Sequence, residues 1–154
     1  LNPKKEEQDM NTEIIPGITD SLSLQVSDRL LVTAVSPDFP GFAGLPPVFA
    51  TAFLVGFMEW ACIEALRPYL PAGKNTVGTH VYLSHVAPTP AGMTVTAKVE
   101  LIEVKDRTLR FRVDCFDECD LIGSGFHERT LIDTGRFMAK VAEKAARGMA
   151  LTAA

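Results

Sequence analysis

Glu59 is the residue whose surroundings demand most explanation. It stands among Phe57, Met58, Trp60, Ala61 and Cys62, with apolar sequence on both sides. A carboxylate buried there without a partner is costly, or its pKa is driven upward. Such a group is either paired in a structural hydrogen-bond hub or used as a general base or nucleophile in a dry pocket. His85 is the second group. Side chains alternate along a strand, so His85 shares a face with Val81 and Leu83, while His80 lies opposite with Tyr82 and Ser84. The apolar partners make the His85 face the inner one. A lone inward histidine is commonly a satisfied core residue; beside a buried glutamate in one small domain it reads as a proton carrier. Thr51 opens the same apolar run as Glu59 and is either a helix cap or a site hydroxyl. Arg129 shares a strand face with His127, opposite Glu128. It suits a surface ion pair or the binding of a ligand's carbonyl or phosphate. Thr51 and Glu59 are eight positions apart, which on one helix is about 12 Å along the axis. That excludes a direct hydrogen bond. Either the helix begins after Thr51 and the chain folds back, or the site combines groups from two subunits.

The elements that must position these groups are legible from periodicity. Alternation over 21–26 predicts a strand, and 30–35 is a second β-leaning run. Residues 36–47 are rich in Pro and Gly and form a loop. That loop carries Phe39, Phe42 and Leu45, which either plug a gap in the core or cover a pocket. The long helix is expected over 48–66, with Pro46 and Pro47 at its entry and Pro68 and Pro71 ending it. It is apolar nearly all round and is therefore expected to be buried. It is short of a membrane span and contains Glu59. Strands follow over 78–86, 93–104, from Leu109 through Cys115, and over 121–132, with turns at 88–92, 105–107 and 118–120. An Ala-rich stretch, 136–147, suits a short helix. Short turns imply antiparallel neighbours. An antiparallel sheet wrapped around one long buried helix is the α+β hotdog arrangement, in which two subunits usually pair through their sheets.

Composition narrows the function. At 154 residues the chain fits a single domain over 19–148, with a flexible segment over 1–18 and a tail over 149–154. The first nine residues precede Met10, a plausible native start. Hydrophobic residues make up 47% and the formal net charge is −4, with no Lys/Arg stripe, so neither nucleic acid nor a membrane is an expected partner. An anionic ligand held by one or two placed cations remains compatible. The three cysteines, Cys62, Cys115 and Cys119, lack zinc-site spacing and fit a reducing, cytoplasmic location. No secretory signal is visible at the start.

Several segments together resemble the fluoroacetyl-CoA thioesterases: Val48-Phe49-Ala50-Thr51, Val55-Gly56-Phe57-Met58-Glu59-Trp60-Ala61-Cys62, Gly78-Thr79 with Ser84-His85, the stretch from Ala87 to Thr96, and Ile122-Gly123-Ser124-Gly125-Phe126-His127-Glu128-Arg129. The likeness spans roughly residues 20–147. It implies a hotdog homodimer that hydrolyses a short acyl-CoA thioester to the free acid and CoA. Neither metal nor cofactor is implied, CoA being part of the substrate. It places Thr51, Glu59 and His85 on the family's catalytic residues, and Gly78 and Arg129 on its substrate contacts. The family's phenylalanine lid falls on Phe39 first and then on Leu45, with Phe42 three residues earlier, in a loop about three residues longer than the family's. A fluorine-selective pocket would depend on that lid. Two other readings of the same fold are an enoyl-CoA hydratase and a non-catalytic acyl-CoA binding module. The hydratase would call for an Asp-x-x-x-x-His pattern, which is missing. The binding module would not need Glu59 and His85 together.

Overall fold

The computed structural model describes residues 13–153. The part of the expected flexible segment covering 1–12 lies outside the described residues. By Gly17 and Ile18 the chain is already tied to the sheet, Gly17 N donating to Leu101 O and Leu101 N to Ile18 O, each at 2.8 Å. Five strands follow: β1 (Thr19–Gln25), β2 (Lys74–Leu83), β3 (Thr94–Lys105), β4 (Thr108–Phe116) and β5 (Leu121–Asp133). They form one antiparallel sheet in the order β1-β3-β4-β5-β2. The helix α1 (Thr51–Leu66) lies across its concave face, and α2 (Thr134–Thr152) ends the chain.

Alternation explains the inner layer. Val95, Ala97, Val99 and Leu101 of β3, and Leu109, Phe111, Val113 and Cys115 of β4, are buried. They pack with Leu54, Phe57, Met58, Ala61, Cys62, Ala65 and Leu66 of α1 in one continuous core. Burial of so much apolar surface is what holds a sheet of mostly non-local pairings around the helix.

Four expectations are corrected. The run 30–35 is not a strand; it forms short 3-10 turns at Asp28–Leu30 and Val32–Ala34, with only Leu31 bridging Phe49. β-Branched composition is a weak preference, and here the chain must turn back to meet the start of α1. The helix begins at Thr51 rather than Val48, because the chain before it is held extended by tertiary partners: Val48 O, which a helix starting there would use, accepts from Val32 N, and Phe49 bridges Leu31. The C-terminal helix is longer than 136–147 and continues through the 148–149 boundary expected for the tail. Finally, α1 is not buried all round. Ala52, Gly56 and Trp60, at helical spacing along one side, are exposed in the single chain.

Candidate active site

The site groups fall into two clusters on opposite parts of α1. The first joins Thr51 to His85: Thr51 Oγ1 lies 2.8 Å from His85 Nδ1. Thr51 is no cap; the N-cap is Ala50 and no side chain caps that end. The hydroxyl is therefore free to serve the imidazole. Phe49 packs edge-on against the ring, with centroids 6.4 Å apart. His85 lies two residues beyond the end of β2, yet its neighbours continue the ladder to β5. Ser84 N donates to Ser124 O and Val86 N to Ile122 O, each at 2.8 Å. The Gly-Ser-Gly motif makes this possible. A Cβ on Gly123 would run into Ser84 O, and one on Gly125 into Tyr82 O, so only glycine lets the two backbones approach this closely. Burial holds the His85 pKa below the usual histidine value, so the ring is neutral near pH 7. Its other nitrogen, Nε2, is buried with no partner among the described residues.

The second cluster is Glu59, Arg129, His127 and Thr76. Arg129 Nη1 donates to Glu59 Oε1 at 2.9 Å. Arg129 Nε donates to Thr76 Oγ1 at 2.9 Å and Nη2 to Thr76 O at 3.0 Å. Arg129 Nη1 also lies 3.2 Å from His127 Nε2. Both His127 and Arg129 are nearly wholly buried. His127 Nδ1 sits 2.8 Å from the carbonyl of His80 and must donate to it. Nε2 is then left to accept from Arg129, which fixes the ring as the neutral Nδ1–H tautomer. Burial accordingly holds the His127 pKa below the usual value. Gly78 faces this cluster: a Cβ there would stand 3.2 Å from Glu59 Oε1 and 3.2 Å from His127 Cε1.

Several expectations change in detail. Glu59 is not an unpaired carboxylate in a dry pocket; it is paired to Arg129, and its side chain is 38% exposed in the single chain. Arg129 is not a surface ion pair, being locked between Thr76, His127 and Glu59. The alternation that put His80 outward holds, and His80 Nδ1 meets Glu128 Oε2 at 3.0 Å. Val81, however, is 48% exposed, although it pairs with buried His127. The register shift between Gly78 and His80 falls just before it. Because α1 runs unbroken from Thr51, the chain does not fold back to bring Thr51 to Glu59. Phe39 and Leu45 are half exposed and Phe42 is part-buried, so none of the three plugs the core. Phe39 and Phe42 pack ring to ring at 6.2 Å in a loop leading directly to the start of α1. Cys62 lies close to the second cluster, but burial pushes its thiol up to about 12, which makes it a packing group rather than a nucleophile.

Sequence reasoning noted His127 only as a neighbour of Arg129 and missed Thr76. The signal for His127 was its shared strand face with Arg129. Thr76 follows only from the β2–β5 register, which pairs Thr76 with Leu131 and Gly78 with Arg129.

Residues 33–135 match the family described as FlK, fluoroacetyl-CoA-specific thioesterase. A fluoroacetyl-CoA thioesterase of Streptantibioticus cattleyicolor is 49% identical over 112 residues, covering 73% of this chain and 81% of that protein. The solved fluoroacetyl-CoA thioesterase FlK superposes with a TM-score of 0.83 at 43% identity, covering 86% of this chain and 98% of that one. A threonine-to-serine variant of FlK in complex with acetyl-CoA superposes at 0.82 with 43% identity, covering 85% and 98%. A hot-dog-like protein from Thermanaerovibrio acidaminovorans shares the fold at a TM-score of 0.75 and 24% identity, covering 88% and 96%. The sheet curled around α1 is thus the hotdog fold. On a family match across residues 33–135 and a relative 49% identical, the chain belongs to the fluoroacetyl-CoA-specific thioesterase family.

Proposed function

We propose that the protein hydrolyses a short acyl-CoA thioester to the free acid and CoA, at a site completed by a second copy of the chain. The observation that carries this reading is the pair of preorganised clusters. One is a threonine–histidine pair with a neutral imidazole; the other is a carboxylate oriented by a buried arginine. Relatives named for fluoroacetyl-CoA hydrolysis, one solved with acetyl-CoA, support the thioester as substrate.

In this mechanism Glu59 either attacks the thioester carbonyl, expelling the thiolate and forming an acyl–glutamate anhydride that water then hydrolyses to the free acid, or takes a proton from the water that attacks the carbonyl directly. Thr51 positions the carbonyl or the attacking water through its hydroxyl. His85 takes up and returns protons, a role for which its neutral form at pH 7 is ready. The proton that His85 takes from the attacking water is passed to the departing thiolate. Arg129 aims the Glu59 carboxylate and polarises the acyl oxygen. Gly78 leaves room for the acyl group against the second cluster, with Phe39, Phe42 and Leu45 covering the small acyl pocket.

The second copy is needed because Thr51 and Glu59 are about 12 Å apart along one helix. Two further features favour pairing through β2. It is one of the sheet's two edge strands, and it leaves Val81 and Tyr82 exposed. Exposed apolar edges invite pairing with another chain. Beside it lies the open side of α1, with Ala52, Gly56 and Trp60. Two-fold pairing there would lay the two α1 helices antiparallel, bringing Thr51 and His85 of one protomer toward Glu59 and Arg129 of its partner. Among the described residues no helix is long and apolar enough to cross a membrane. The cysteine usage favours a cytoplasmic setting.

The test is free-thiol release from acetyl-CoA, fluoroacetyl-CoA and longer or aromatic acyl-CoAs side by side. Release from fluoroacetyl-CoA alone assigns a fluorine-selective detoxifying enzyme. Release mainly from other esters assigns a general acyl-CoA thioesterase. Tight CoA-ester binding without release would replace hydrolysis by a binding module.

A further inference from the structure

We propose that His127 is a positioning residue for the reaction: it confines Arg129 to one oxygen of Glu59 and leaves the other oxygen free to react. The inference rests on the thioesterase reading above, in which Glu59 is the base or the nucleophile. Thr76 holds the guanidinium of Arg129 along one edge only, through Nε and Nη2. Two bonds along one edge define an axis, and the group can still pivot about it. Nη1 lies off that axis and carries two hydrogens, one for Glu59 Oε1 and one for His127 Nε2. The histidine is the anchor that stops the pivot. The same bond decides how Arg129 meets the carboxylate. A guanidinium and a carboxylate readily form a bidentate pair. Among the described residues, however, only Oε1 of Glu59 accepts a hydrogen bond, and it accepts one from Arg129. Arg129 is 3% exposed, so without His127 its second Nη1 hydrogen would be a buried donor with no partner. A pivot would satisfy that hydrogen at Glu59 and tie up both oxygens. Hydrogen bonds to a carboxylate favour its charged form, so a doubly held Glu59 is a poorer base and a poorer nucleophile.

A bulge in β2 holds the histidine in turn. The register shift between Gly78 and His80 makes Thr79 the extra residue of the strand, and the Thr79 hydroxyl donates to Glu128 O at 3.3 Å. The carbonyl of His80, next along the chain, accepts from His127 Nδ1 at 2.8 Å. A carbonyl only accepts, so the ring proton stays on Nδ1 and the lone pair of Nε2 is turned to Arg129. The ring has its place because Gly78 carries no Cβ, which would stand 3.2 Å from Cε1. His127 is 2% exposed, and it acts through Arg129 rather than on the substrate. The bulge, the histidine, the arginine and the carboxylate thus form one chain of contacts that ends at the reacting oxygen.

Two substitutions separate this role from a purely structural one, because each keeps one of the two bonds. The amide nitrogen of asparagine reaches the place of Nδ1, so His127→Asn keeps the bond to His80 O and loses the anchor on Arg129. The amide oxygen of glutamine reaches the place of Nε2, so His127→Gln keeps the anchor and loses the bond to His80 O. Thiol release from the best of the acyl-CoA esters and a thermal melt are measured on both. The expected result is a kcat lower by about tenfold or more in His127→Asn at a nearly unchanged KM, and a kcat within about threefold of wild type in His127→Gln whatever its Tm. Wild-type kcat in His127→Asn, or a loss in His127→Gln as large or larger, overturns the positioning role and leaves the thioesterase reading standing. If His127→Gln does not fold, His127→Asn decides alone by the same kcat. If the wild-type protein releases no thiol from any ester, the thioesterase reading falls by itself. Crystal structures of the wild type and His127→Asn then decide the hold on Arg129. A guanidinium that turns to grip both oxygens of Glu59 in the variant supports it, and a single contact left unmoved overturns it.

Discussion

Replacing Gly78 by alanine tests whether the Glu59–Arg129 cluster is a working site or a structural ion pair. The added methyl would sit 3.2 Å from Glu59 Oε1, 3.2 Å from His127 Cε1 and 3.5 Å from Arg129 Nη1. The first two contacts are tighter than nearly all that Cβ atoms make in folded proteins, so a neighbour must shift by a few tenths of an ångström. His127 cannot, because it is buried and tied to His80 O and Arg129. Glu59 can, because its side chain is 38% exposed. The carboxylate is therefore what moves. Crowding a packed site costs about 1–3 kcal/mol, and removing a glycine from a strand returns about 0.5–1 kcal/mol. The net loss is about 1 kcal/mol, or a Tm lower by about 3 °C in a chain of this size. The loss of rate should be larger. Misplacing a reacting group by about 1 Å can cost about a hundredfold, so a shift of a few tenths should lower kcat about tenfold. Thiol-release kinetics and a thermal melt on the same preparation read both numbers. A variant that keeps full kcat, whatever its Tm, refutes the idea that the position of Glu59 controls turnover.

Two further outcomes follow. Assembly of the site from two subunits predicts complementation. A Thr51→Val variant and a Glu59→Gln variant, each inactive, should recover about a quarter of wild-type activity when unfolded and refolded together, because each mixed dimer holds one intact site; no recovery would place the whole site in one chain. The depressed His127 pKa also predicts acid sensitivity. The folded state keeps this ring neutral while the unfolded chain binds a proton below about pH 6.5. Stability is thus fully present above that value and declines as pH falls from it toward the folded pKa. The slope is at most about 1.4 kcal/mol per pH unit for the one proton. Melts between pH 7.5 and 5 should show this decline shrinking in His127→Gln, and an identical pH dependence in the two proteins would count against it.

Much of this arrangement was legible in the sequence because it rests on period-two alternation. The inward face of β3 and β4, the turn at 105–107, the outward His80 and the placement of His127 beside Arg129 all follow from counting residues. What counting could not supply was pairing across the fold. Arg129 looked slightly better suited to a surface ion pair, because nothing local reveals that Thr76 of β2 lies beside it. The helix start was misplaced by three residues because Val32 N and Leu31, remote in sequence, hold Val48 and Phe49 as extended chain. The apolar character of α1 was correctly seen, but its exposed side at Ala52, Gly56 and Trp60 was not. A helix apolar on every side reads as buried whether its own sheet or another subunit covers it.

The most direct measurement compares thiol release from short acyl-CoAs by the wild-type protein and by Glu59→Gln. The substitution keeps the side chain's shape and an oxygen for Arg129 while removing the base or nucleophile. The account predicts clear turnover by the wild type and a loss of at least about a hundredfold in kcat in the variant, with the melting temperature changed by only a few degrees. Wild-type-like turnover in Glu59→Gln, or no release by the wild-type protein from any of the esters, would contradict it.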